Sequence, residues 1–282
     1  MKAAAFDYVR TATLDETLRI LSERGEGARI IAGGQSLAPA LNLRLAAPDL
    51  LVDIGGLTQL RYIEPTSNGV NIGALTRHVD IARSDWIASY CPLLTRAIAH
   101  VAHPAIRNRG TLGGSLAQAD PAAELPACMV ALDAVIVTTG ASGERRIAAR
   151  DFFLGVYETA LRPDEVLTGV EIGGLDAGRA YGFAELSRRR GDFAIVGLAL
   201  AARRRETRLD DIELVYFGVS DRPTPAPGAA AALARQDMDA ARAALAADLN
   251  PVADAQASSA MRLRLAGVLM ERAFAEAGEA TT

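Results

Sequence analysis

"IIAGGQSLAPALNLRL", residues Ile30 to Leu45, decides how this chain is read. A short apolar run ends in two adjacent glycines, a polar pair comes next, and a helix-like segment follows. Glycine accepts positive φ, and without a side chain it lets an anion approach the backbone amides. A helix opening just after the turn adds free N–H groups. The device recurs in "GTLGGSLAQADPAAELPACMVALDA", Gly110 to Ala134, so that "AGGQSL" and "TLGGSL" share one form. Two such loops meeting in space would wrap a diphosphate, whereas either alone is also an ordinary turn. Neither holds the lysine of a P-loop, and no G-x-x-x-x-G-K-[ST] occurs. The dinucleotide fingerprint G-x-G-x-x-G is absent too, since "GEGARI" ends in isoleucine at the wrong place. Spacing alone therefore reaches a phosphate-bearing cofactor and no named ligand.

Around the first loop the opening sixty or so residues read βαβαβ. "FDYV" is a strand, and Thr13 with Glu16 makes a capping box for a helix carrying Leu14, Leu18 and Leu21. "RIIA" is a buried strand, Pro39 sits in the first turn of a helix carrying Leu41 and Leu45, and "LLVDI" is a third strand. Asn68-Gly69 is expected to be a hairpin turn. Helical periodicity runs from Val79 to Ala102 with a break at Cys91-Pro92, and again near Leu125 to Leu132. "AVIVTT" and "EVLTGVEI" are strands. After about Leu175 the texture changes: "RAYGFAELS", "FAIVGLALAARR" and "DIELVYFGVS" read as consecutive strands of an antiparallel sheet. An alanine-rich helical tail follows, with Met261, Leu265, Val268 and Leu269 on one face. Boundaries fall near Leu57 and, more strongly, near Leu175.

Composition narrows the function classes. The 282 residues are 50% hydrophobic and 23% charged, with a formal net charge of −4 and both signs dispersed, which points to no nucleic-acid or membrane-surface partner. No apolar run approaches the ~20 residues of a membrane span. Acidic residues arrive too early in "MKAAAFDYVRTATLDE" for a secretory segment, so a cytoplasmic protein is expected. Cys91 and Cys128 are the only cysteines, and an iron–sulfur cluster takes about four thiolates, so this chain by itself carries none. His78, His100 and His103 read as solvated or core-edge residues; no metal ligand is assigned.

Several ordered motifs, "AGGQSLAPALNLRLAAPDLLVDIGGL", "IGALTRH", "IRNRGTLGGSLAQADPAAELPA" and "SRRRGDFAIVGLAL", carry a resemblance. The chain resembles the FAD-binding medium subunit of the molybdenum hydroxylases, the relatives of carbon monoxide dehydrogenase and xanthine dehydrogenase, over almost its full length. The resemblance implies an α+β protein: a two-lobed α/β FAD-binding domain (PCMH/VAO-like) followed by a C-terminal antiparallel sheet with helices. On that basis residues 1–56 and 57–175 are the two lobes and 176–282 the C-terminal domain.

Residue by residue, the resemblance sets Ile31, Ala32, Gly33, Gly34, Gln35, Ser36 and Leu37 against one side of the FAD pyrophosphate. It sets Thr111, Gly113, Gly114 and Ser115 against the other. Val101 matches an apolar position near the flavin. Glu124 falls where relatives usually have aspartate near the ribityl hydroxyls, and Asp120 is a second candidate that also reads as a turn-forming Asp-Pro. Ala74 and Thr76 line the cofactor or end a strand. Asp192-Phe193 resembles the Asp-aromatic pair beside the isoalloxazine; a core aromatic is the plain alternative for Phe193. Two departures stand out: relatives often have asparagine at Ser115 and a lysine near Glu185 or Leu186. Arg188–Arg190 and Arg203–Arg205 are basic runs, read as solvated faces or as a docking rim.

The activity implied is that of an electron-transfer subunit of an oxidoreductase. A large molybdopterin subunit bearing the molybdenum cofactor oxidises substrate, and a small iron–sulfur subunit with two [2Fe–2S] clusters passes electrons to FAD here. FAD passes them to an external acceptor, in a dimer of heterotrimers. No catalytic acid or base is demanded of this chain. The rivals are a free-standing FAD oxidoreductase and a non-redox nucleotide-binding scaffold.

Overall fold

The computed structural model describes residues 2–206 and 208–279. The first unit is a three-stranded parallel sheet in which Leu50–Asp53 lies between Asp7–Arg10 and Ala28–Ile31. Parallel neighbours need crossovers, and helices Leu14–Arg24 and Leu37–Asn42 supply them. The central strand Leu50–Asp53 is buried at Leu50, Leu51 and Val52 because both its neighbours and the helices cover it. At the start of Leu14–Arg24, Thr13 Oγ1 accepts the Glu16 amide at 3.1 Å as expected. The Glu16 carboxylate reaches back one residue further than in a standard box, to the Ala12 amide at 2.8 Å. Helix Leu37–Asn42 stops short of Leu45, which is 79% exposed and outside the expected helical face.

A five-stranded antiparallel sheet comes next, ordered Ile63–Thr66, Gly69–Gly73, Val166–Gly173, Val135–Gly140 and Gly143–Ala148. The hairpin joining the first two strands pairs Thr66 with Gly69, so its turn is Ser67-Asn68 and not Asn68-Gly69. Gly69 is needed for another reason: a Cβ there would run into the carbonyl of Ile172 on the adjoining strand. The expected helix over 79–102 is three helices, His78–Ala82, Asp85–Tyr90 and Pro92–His100. The additional break sits at Ser84, whose hydroxyl caps the Ile87 amide at 3.3 Å. Helices Leu112–Gln118 and Glu124–Ala131 complete this half.

The C-terminal sheet is antiparallel, Arg179–Ser187, Ala194–Arg205, Arg208–Phe217 and the short Thr224–Pro225. Its strands alternate between two cores. Tyr181, Phe183, Ala199, Ala201, Val215 and Phe217 face helices of the preceding half, while Ala184, Val196, Leu198, Leu200, Leu214 and Tyr216 face the C-terminal helices. Burial on both sides explains the unbroken apolar run of "AIVGLALAA".

Helix Ser259–Gly278 lies on the outer face, and of the four residues expected on its inner side Leu269 is buried and Leu265 packs against the core. Ala266, Leu269, Met270 and Ala273 are buried, whereas Met261 and Val268 are exposed. The helix is anchored by Arg262, itself only 5% exposed. Its guanidinium donates to the carbonyls of Ile195 and Gly218 and to Asp254 Oδ2, joining strand Ala194–Arg205, the bend after Phe217 and a loop to the helix. Arg262→Met keeps most of the volume and strands those acceptors, so it is expected to lower stability by about 3 kcal/mol. A urea midpoint shift worth less than about 1 kcal/mol would show that the anchor is dispensable.

Candidate functional site

The first glycine loop leaves the parallel sheet at Ile31, whose carbonyl accepts the Ile54 amide at 3.1 Å. Gly34 has φ 71°, the left-handed region that glycine favours. The turn is braced from inside, with Gln35 Nε2 donating to the Gly33 carbonyl at 2.8 Å. Among the described residues, the amides of Gly33, Gly34, Gln35, Ser36 and Leu37 have no protein acceptor. The loop is only half-buried there, with Ser36 exposed. Five consecutive donors lacking partners need water or an anion.

The second loop is built differently. Leu112 donates to the Thr76 carbonyl at 2.9 Å, Gly113 to the Ala74 carbonyl at 2.8 Å, and Gly114 to Thr111 Oγ1 at 3.1 Å. Those amides are already engaged; only the Thr111 amide and the Ser115 hydroxyl remain unbonded among the described residues. Ala74 and Thr76, both nearly fully buried, stand behind the loop as its anchor, and the Thr76 hydroxyl donates to the Tyr62 carbonyl at 2.8 Å. Gly113 has no room for a side chain, since a Cβ would lie 2.6 Å from that of Ala74.

The two loops touch. A Cβ on Gly33 would collide with the Arg109 carbonyl and lie 3.0 Å from Gly110 Cα. Beneath this contact sits His78, which closes the motif "IGALTRH" and whose pattern in the sequence carries no signal of a role at the site. Its amide donates to the Gly110 carbonyl at 3.0 Å, and its Nε2 lies 3.1 Å from the Thr111 carbonyl. A carbonyl only accepts, so Nε2 carries the proton and buried Nδ1 has no partner among the described residues. Burial pushes the imidazole down to about 4 and keeps it neutral.

Val101 follows helix Pro92–His100, and Arg107 Nη1 clamps the carbonyls of Val101 and Ala102 at 2.8 and 3.0 Å. Gly191, at φ 86°, packs against the Ala102 carbonyl and the His103 ring, which brings Asp192-Phe193 to the same flank. Phe193 is 65% exposed and is not a core aromatic. Asp120 has the geometry of the turn-forming reading: Oδ1 accepts the Ala122 amide at 2.9 Å and Oδ2 the Tyr157 hydroxyl at 3.3 Å. Glu124 opens helix Glu124–Ala131; burial, and then the carboxyls of Glu185 and Asp120, push it up to about 8. The basic runs differ. Arg203 pairs with Asp176 at 3.0 Å and Arg204 binds the last carbonyls of helix Ser259–Gly278, whereas Arg188, Arg189 and Arg190 are exposed beside Phe193.

His78 gives the site a pH signature. The unfolded chain protonates this imidazole near pH 6.5 and the folded chain only near 4, so stability falls as pH drops through that window, by about 3 kcal/mol. Buried Glu124 contributes with the opposite sign, so the readout is the difference from His78→Gln, whose amide also reaches the Thr111 carbonyl. Urea unfolding between pH 7 and 4 is expected to show a smaller loss in the variant. Parallel curves would mean that His78 is not held neutral.

Residues 4–173 match the family described as FAD binding domain in molybdopterin dehydrogenase. Residues 181–277 match the CO dehydrogenase flavoprotein C-terminal domain. The chain is 37% identical over 276 residues to the glyceraldehyde dehydrogenase medium chain of Sulfolobus acidocaldarius, covering 96% of this chain and 98% of that one. It is 33% identical to the carbon monoxide dehydrogenase medium chain of Afipia carboxidovorans, with 98% of each covered. Its fold superposes with a TM-score of 0.95 on carbon monoxide dehydrogenase from Hydrogenophaga pseudoflava, in a form lacking the Mo-pyranopterin moiety, at 33% identity and 98% coverage of each chain. Fold, loops and likeness together place the chain in the family of FAD-binding medium subunits of the molybdenum hydroxylases, as an oxidoreductase subunit.

Proposed function

We propose that this chain holds FAD with its pyrophosphate against the five open amides of Gly33 to Leu37. In this reading the chain relays electrons between the two [2Fe–2S] clusters of a small partner subunit and an external acceptor. The observation that carries it is the row of unengaged donors directly against a second glycine loop that has almost none to spare. The two loops then have unequal tasks: the first binds the anion, and the second, with the Thr111 amide and Ser115 hydroxyl at its edge, walls it in. Bound there, FAD supplies a carrier that exchanges electrons singly or in pairs. With FAD held there, Ile31 and Ala32 would line the approach to the first loop, Val101 and Phe193 would flank the ring, and Glu124 and Asp120 would take the ribityl hydroxyls. The exposed Phe193 controls access to the reactive edge, and Arg188–Arg190 form a cationic rim there.

The division of labour with other chains has physical support. Cys91 and Cys128 are both fully buried, and burial pushes the Cys91 thiol up to about 12, so neither is a ready thiolate ligand. The proposed complex assigns the clusters to a small subunit and the molybdenum cofactor to a large one, in a cytoplasmic dimer of heterotrimers. The boundaries at 56/57 and 175/176 divide the chain into two cofactor-holding lobes and the C-terminal domain.

The test is flavin occupancy. The purified chain is expected to carry stoichiometric FAD with oxidised-flavin absorption bands. Gly33→Ala, which forces the loops apart, is expected to weaken FAD binding about 10- to 100-fold, the effect of 1–3 kcal/mol of overpacking. A chain that binds no FAD, or a Gly33→Ala variant that binds it undiminished, contradicts the reading.

A further inference from the structure

Glu185 occupies a core-facing position. It lies on strand Arg179–Ser187, two residues beyond Phe183 and four beyond Tyr181, on the face that packs against helices Pro92–His100 and Glu124–Ala131. Side chains of a strand alternate, so an apolar residue belongs there. The carboxyl side chain is 1% exposed, and its buried Oε2 has no hydrogen-bond partner among the described residues. Leaving a buried acceptor unpaired costs on the order of 1–3 kcal/mol, so a purely structural role explains it poorly.

Its surroundings are ionisable. His100 Nδ1 stands 3.7 Å from Glu185 Oε2, and the imidazole, 42% exposed, connects that carboxyl to the cleft flank at Val101. Glu124 opens helix Glu124–Ala131, which packs on the neighbouring strands Ala194–Arg205 and Arg208–Phe217 of the same sheet, and lies within reach of the charge of Glu185, which raises it. The other groups bearing on this cluster are Asp120 and Cys128 beside Glu124, and Arg190 and Glu276 beside His100. Arg96 neutralises Glu276 at 3.2 Å.

We propose that Glu124 and Glu185 form a proton-holding pair, filled and emptied through His100, whose loading follows the redox state of the bound flavin. This rests on the reading that FAD occupies the cleft. Burial raises Glu185 to about 7 and Glu124 to about 8, so the pair is partly ionised near neutrality. Two electrons arriving on the flavin add negative charge to the cleft. One carboxylate then gains a proton: a buffer acid loses it, His100 passes it, and an O–H bond forms on Glu185 or Glu124. Reoxidation by the acceptor breaks that bond and returns the proton. The electrons come from an iron–sulfur carrier in the complex and from dithionite in the test.

The test is a redox titration of the FAD-loaded chain between pH 6 and 9, with Glu185→Gln and Glu124→Gln as variants. The wild-type midpoint is expected to fall more steeply with pH than that of either variant. The curves should meet near pH 6, where the carboxyls are protonated, and part near pH 9. There, at one fixed poise, the variants should hold on the order of tenfold more reduced flavin relative to oxidised. His100→Gln should keep the equilibrium curve and slow proton uptake after rapid reduction. Should the carboxyl variants not fold, the reduced-minus-oxidised infrared spectrum of the unaltered chain decides: a protonated-carboxyl band gained on reduction supports the pair. Superimposable pH profiles, or no such band, overturn it. A chain without flavin would instead fail the functional reading, which keeps the two failures distinct.

Discussion

Between Gly33 and the Arg109 carbonyl there is no space for even one methyl group. That backbone contact is the constraint on which the site depends, because it brings together two loops drawn from different sheets. The first leaves a parallel sheet whose strands end side by side, and its amides stay open because none of the described residues accepts them. The second is tied by its amides to Ala74 and Thr76 at the end of a strand of the five-stranded sheet. One loop is anchored so that the other remains open. Neutral His78, bonded to the Gly110 and Thr111 carbonyl segment, supports that anchor from below.

The C-terminal sheet matters to the site because it is packed on both faces. Its inner face continues the core of the preceding half through a stack in which Phe217 lies 5.8 Å from Phe183, and Phe183 lies 5.2 Å from His100. Gly197 makes room for the Phe217 ring, where any Cβ would strike it. Through this seam the loop carrying Asp192-Phe193 is held against Ala102 and His103. Glu185 follows Tyr181 and Phe183 on this inner face, and the cost of burying its carboxyl is what singles it out.

Much of this was legible in the residues. Period-two and buried-run patterns marked the strands, and the repeated glycine pair marked both loops. What stayed hidden has physical reasons. The Ser67-Asn68 turn was displaced because Gly69 answers to a neighbouring strand, a tertiary demand that local turn chemistry does not register. Apolar periodicity marks the inner face of the last helix only in part: Leu265 and Leu269 lie on it and Met261 and Val268 do not, while a buried arginine, Arg262, anchors it where an apolar pattern would not place one. The unequal roles of the glycine loops were invisible as well. Their letters are nearly alike, and only the partners of Leu112, Gly113 and Gly114 distinguish them.

Amide hydrogen exchange, resolved residue by residue with and without FAD, tests this asymmetry directly. The geometry requires fast exchange at Gly33 to Leu37 in the free chain and strong slowing there once the cofactor binds. Leu112 to Gly114 should already be slow and change little. Slowing confined to the second loop, or a first loop indifferent to FAD, would contradict the assignment of the open amides as the anion cradle.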